Sequence, residues 1–137
     1  MRLWHYKLIP YLPNSQLIAQ WRELNSIYVK QDKHILINYI YEYPKSDLLV
    51  YSNLVIAEME KRNFKINTSN YENYFDKWDV YYLLDKVDFK PFEDHHNDRY
   101  LKQCFYNLQE KYDRGQKDFS KELYKNLENF INSSEKY

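Results

Sequence analysis

Leu17, Trp21, Leu24 and Tyr28 follow one another at intervals of four, three and four residues. That interval matches the turn of an α-helix and draws one apolar stripe along a single face. No other feature constrains the fold as strongly, because the same spacing recurs while strand-like alternation is scarce. Leu101, Cys104, Phe105, Leu108 and Tyr112 repeat it towards the C-terminus, and Leu123, Leu127, Phe130 and Ile131 repeat it again. The expected fold class is therefore all-α, a compact single-domain helical bundle over residues 1–137. A hydrophobic fraction of 44% is enough for one core.

Punctuating residues set the expected boundaries. The first helix is expected over about 15–28, entered through Pro13 with Asn14 as its N-cap. A short helix is expected from His34 to Tyr43, stopped by Pro44. The next runs from Asp47 to about Arg62, capped by Ser46 and terminated by a left-handed Asn63. Residues 67–96, with Tyr71, Tyr74, Phe75, Trp78, Tyr81 and Tyr82 among polar neighbours, read as one short helix plus ordered loop. A helix over Asp98–Tyr112 stops at Gly115. Ser120 caps the last one, with Phe119 placed to staple onto Tyr124.

Composition narrows the function. Gly115 is the only glycine, which leaves no glycine-rich phosphate loop. No apolar run approaches the ~20 residues needed to span a bilayer. The start MRLWHYKLIPYLP lacks the long apolar block of a secretory signal. One cysteine, Cys104, excludes an internal disulfide framework and fits a reducing compartment. A soluble, cytoplasmic protein without a membrane partner is expected. Twenty basic and twenty acidic residues cancel, whereas a strong nonspecific nucleic-acid binder carries a basic surplus; a local basic patch stays open. Sixteen tyrosines read first as coding bias, with base stacking as the functional alternative.

Three groups bear reactive side chains. On the first helix, Ser15, Ala19, Arg22, Glu23 and Ser26 lie away from the apolar stripe, at ~100° per residue. Small Ala19 and Ser26 leave room for a ligand to approach Glu23. A chain-start amine has a pKa near ~7.7 and is partly neutral at neutral pH. It can attack a sugar carbon and form a Schiff base. Such chemistry wants a nearby carboxylate for proton handling and an arginine for an adjacent phosphate. The alternative is an Arg22–Glu23 pair that only decorates a solvated helix surface. The second group is FEDHHNDRY, residues 92–100, whose Glu93, Asp94, His95, His96 and Asp98 are metal-ligand types without metal-site spacing; it reads as a polar helix-entry loop. The third is Cys104, whose place on an apolar stripe reads as core rather than nucleophile.

Two stretches carry a family resemblance. QLIAQWREL, residues 16–24, follows a start containing Arg2, and LVIAEMEKRNFKI spans residues 54–66. Both resemble the pyrimidine-dimer DNA glycosylases of the phage endonuclease V type, most closely a bacterial branch that starts M-R-L-W-H. NLQEKY, residues 107–112, is similar to the family's L-x-E-K stretch. The resemblance implies an all-α domain with coupled glycosylase and abasic-site lyase activity on damaged double-stranded DNA, without metal or cofactor. It also implies a bent duplex with a flipped base. Catalysis would fall to the Met1 amine and Glu23, and DNA binding to Arg2, Arg22 and Lys111. The phage enzyme exposes a threonine by losing its initiator methionine. Here residue 2 is Arg, too bulky for that processing, so Met1 is expected to persist and Met1-Arg2 to stand in for Thr-Arg. Gln16, Ser26 and Asn107 occupy positions where the family carries basic residues. A domain of the same fold that binds DNA or another partner without catalysis is the alternative.

Overall fold

The structure is a computed structural model that describes residues 2–75 and 89–134. Met1 and the aromatic residues Trp78, Tyr81 and Tyr82 lie outside the described residues. Leu17, Trp21, Leu24 and Tyr28 are all buried, as their spacing predicts, and Ile27 joins them. They belong to helix α1 (Asn14–Lys30), which packs against α2 (Lys45–Lys61) and α3 (Ser69–Tyr74). Fully burying an aliphatic side chain of this size contributes about 1.5–3 kcal/mol. Ahead of α1, residues 2–5 form a strap without regular secondary structure, followed by a 3-10 helix, Tyr6–Tyr11. That short helix packs on α2 and on α5 (Lys121–Ser134), and α5 in turn packs on α4 (Asp98–Asp113). No strand occurs among the described residues, and the fold is all-α.

The helix ends show which local signals operate. Asn63 takes a left-handed φ of 65° after α2, as expected of a terminator. Gly115 does the same after α4 with φ 83°, its N–H reaching the Tyr112 carbonyl. Ser120 Oγ accepts the Leu123 N–H at 3.1 Å, and the Phe119 and Tyr124 rings meet edge to face. Asn97 caps α4 by accepting the Tyr100 N–H at 2.9 Å.

Three expected boundaries are corrected. Asn14 is inside α1 and Pro13 occupies the cap, because the Asn14 side-chain oxygen is taken by Arg62. A carboxylate from far along the chain does the capping instead: Asp118 Oδ2 accepts the Ser15 N–H at 2.8 Å. Ser46 likewise lies inside α2, behind Pro44, with no side-chain cap. The helix expected over 34–43 is only a turn followed by a 3-10 helix, Asn38–Glu42. Ile37 and Ile40 are its buried anchors, too few for a full amphipathic face.

Candidate active-site cleft

Glu23 sits midway along α1, on the flank that carries Gln16, Ala19 and Gln20. That flank meets the strap and α4 across a cleft of about 240 Å³, lined by Arg2, Trp4, Gln16, Ala19, Gln20, Glu23, Asn107 and Lys111. The small side chain of Ala19 keeps the floor open. Three of the five residues expected to act, Arg2, Glu23 and Lys111, therefore come together from opposite ends of the chain. Arg22 is exposed and outside this lining, although its charge reaches the Glu23 carboxylate. The remaining residue, Met1, falls outside the described residues.

Glu23 is half-buried, and its pKa is raised because burial disfavours the carboxylate. The Arg2 backbone N–H, the Gln20 amide and the Arg22 charge oppose that shift without cancelling it. A carboxylate so placed takes up and releases a proton nearer neutrality than an exposed glutamate does. The Arg2 guanidinium lies over the Trp4 ring, 5.9 Å from its centroid, so its charge stays at the cleft beside the indole. Lys111 stands on the last turn of α4.

The strap that borders the cleft is held by tyrosines of α2 and α4 and by a buried histidine just before α4. Tyr51 of α2 donates its hydroxyl to the Trp4 carbonyl at 2.6 Å, and Tyr100 of α4 donates to the Leu3 carbonyl. His96 Nδ1 accepts the Tyr6 N–H at 3.2 Å, while its own carbonyl lies 2.9 Å from His5 Nε2. His5 Nδ1 accepts the Lys7 N–H. Both imidazoles therefore carry their proton on Nε2. Burial lowers their pKa values to about 4 for His5 and about 3 for His96. The paired histidine motif thus divides. His96 ties the strap to the entry of α4, and exposed His95 hydrogen-bonds Tyr43. Among the described residues, no group of three or more His, Cys, Asp and Glu is arranged to hold a metal ion. Cys104 is fully buried and burial pushes its thiol pKa up, which disfavours the nucleophilic thiolate.

Gln20, Tyr51 and Tyr100 escaped the sequence reading, which had His96 only as part of a polar helix-entry loop. Only Gln20 leaves a local trace. It lies three residues after Leu17 and four before Leu24, a glutamine set into an apolar stripe, and it is 1% exposed.

The family model of pyrimidine dimer DNA glycosylase matches residues 1–72, more than half of the chain. The chain belongs to that family. The stretch that matches this DNA repair glycosylase family contains the strap, all of α1 and all of α2. It therefore includes every cleft residue except Asn107 and Lys111. No curated protein and no solved structure matches the chain. No helix among the described residues is long and apolar enough to cross a membrane.

Proposed function

We propose that this member of the glycosylase family excises damaged pyrimidines from double-stranded DNA in the cytoplasm and cleaves the resulting abasic site, with the Met1 amine as nucleophile and Glu23 as the working carboxylate. The observation that carries this reading is the half-buried Glu23 in one cleft with Arg2 and Lys111. Covalent geometry supports it. The Arg2 peptide N–H faces the Glu23 carboxylate, and an α-amine lies three bonds, at most ~3.6 Å, from the next peptide nitrogen.

In this scheme the neutral amine attacks C1′ of the damaged nucleotide. The N–C1′ bond forms as the C1′–base bond breaks, and the electron pair leaves with the base, which gains a proton. The sugar ring opens, O4′ takes up a proton, and a protonated C1′=N imine results. The imine acidifies the C2′ hydrogen. Glu23 removes that proton and the C3′–O bond breaks, expelling the 3′ phosphate. Water then hydrolyses the imine and frees the amine. Arg2, Arg22 and Lys111 hold the flanking phosphates. The scheme uses no metal or cofactor.

Borohydride reduces such an imine to a stable amine and tests the scheme. A covalent adduct is expected with abasic and dimer-containing duplexes, carried on the Met1 peptide in mass spectra. Glu23→Gln lowers turnover roughly 100- to 10,000-fold while DNA binding persists. Absence of an adduct throughout about pH 6 to 8, where the amine is partly neutral, overturns the reading. Salt-dependent DNA binding without any adduct would instead identify a DNA-binding domain that lacks catalysis.

A further inference from the structure

Gln20 uses every hydrogen-bonding site of its amide. Its oxygen accepts the Trp4 N–H at 2.8 Å and lies 2.9 Å from the Tyr51 hydroxyl, whose single proton it shares with the Trp4 carbonyl. Its nitrogen donates to the Arg2 carbonyl at 3.1 Å and to Glu23 Oε2 at 3.1 Å. The orientation of the amide follows from its partners. A backbone N–H only donates, so it must face the oxygen; a carbonyl and a carboxylate only accept, so they must face the nitrogen. A buried amide with four partners has no freedom to turn.

We propose that Gln20 is the positioning residue of this cleft: one rigid amide fixes the Glu23 carboxylate and the peptide groups of Arg2 and Trp4, and so sets where the chain-start amine stands relative to the carboxylate. This rests on the Met1–Glu23 reading above. Neither partner alone defines that geometry. Glu23 rides on α1, whereas the strap has no helix of its own, and the Gln20 side chain joins the two. A misplacement of about 1 Å between reacting groups costs on the order of 100-fold in rate. One amide at this junction therefore acts on rate far more than on DNA affinity.

Two full-length variants separate positioning from mere support. Gln20→Met removes all four bonds at similar volume. Gln20→Glu keeps the acceptor side, towards Trp4 and Tyr51, but loses both donations and sets a second carboxylate against Glu23. Single-turnover borohydride trapping on an abasic duplex is measured against pH. The Glu23 carboxyl is also titrated by carbon NMR, which requires no activity. Other groups facing Glu23 are Arg22 on its own helix, Arg2 on the strap, Lys111 across the cleft on α4 and Tyr51 on α2.

Trapping at saturating DNA is expected to fall roughly 10- to 100-fold in both variants, with little change in Kd. The acid limb and the Glu23 titration move to higher pH, further in Gln20→Glu than in Gln20→Met. An unmoved Glu23 titration overturns the proposal, as does a rate lost in Gln20→Met and restored in Gln20→Glu. If Gln20→Met does not fold, Gln20→Glu decides through the same titration. If the unaltered protein forms no adduct, the amine mechanism fails by itself, and the titration still judges whether Gln20 controls Glu23.

Discussion

The strap, residues 2–5, and the α1–α2 connection, residues 31–43, both lack α-helix, yet they are opposite kinds of structure. In the strap, Leu3, Trp4 and His5 are buried, and side chains of α1, α2 and α4 take its backbone polar groups. In the connection, Ile35 is 85% exposed and Leu36 is exposed as well. Its backbone hydrogen bonds are local: Ile37 and Asn38 donate to the His34 carbonyl, and Tyr41 donates to the Asp32 carbonyl; only its Tyr39 and Tyr43 hydroxyls reach far, to His96 and His95. Irregular backbone is therefore not uniformly loose. What separates the two stretches is the reach of the partners on their backbone groups, 16 to 97 residues for Arg2, Leu3 and Trp4 and 9 or fewer for His34 and Asp32. The strap is irregular because its carbonyls answer to distant tyrosines and a glutamine rather than to a helix.

Acid is the strongest way to break this contrast. The folded pKa values of His5 and His96, about 4 and about 3, lie below the unfolded value of 6.5. Between those limits the unfolded chain binds protons that the folded chain does not. Their contribution is thus complete above pH 6.5 and lost as pH falls towards the folded values. Each histidine removes about 1.4 kcal/mol per pH unit over that window. Glu23, with a raised folded pKa, works in the other direction and recovers a little stability as it protonates. Urea midpoints at about pH 7 and pH 5 measure the loss, and amide exchange locates it. Strap amides are expected to lose protection ahead of those of the connection, and the reverse order would contradict the comparison.

A milder change sharpens it. Tyr51→Phe removes the one hydroxyl proton that the Trp4 carbonyl and the Gln20 amide oxygen share. Leaving such a buried acceptor unsatisfied costs about 1–3 kcal/mol. A loss below about 0.5 kcal/mol in urea unfolding would mean that apolar packing alone holds the strap. Ile35→Ser is the control with the smallest effect. At an exposed site without special partners it should change stability by no more than about 0.5 kcal/mol. A larger loss would place the connection in the core and erase the distinction.

What the sequence discloses follows the same division. Helix faces were legible because their determinants lie three or four residues apart, as at Leu17, Trp21, Leu24 and Tyr28. Gly115, Asn63, Ser120 and Phe119 were legible because each acts within one turn of its helix. Asn14 misled because Arg62, 48 residues away, recruits its side chain. Glu23, Arg2 and Lys111 were legible only through family resemblance, since nothing local says that residue 111 returns to residue 2. The tyrosine excess, read as coding bias, gains a structural use in the hydroxyls of Tyr51 and Tyr100, which hold strap carbonyls. Gln20 was visible as a polar interruption of a stripe, but its four partners were not.

The bond from Ser15 to Asp118 has a consequence for the order of events when the chain is made. The helix that carries Glu23 begins at residue 14, and the carboxylate that finishes its first turn emerges 103 residues after Ser15. That helix can coil early, but its leading end stays open until Asp118 has left the ribosome. Long-range closures of this kind come late and slow the final assembly. A nascent chain released short of Asp118 would carry Glu23 on a helix whose first turn is unfastened.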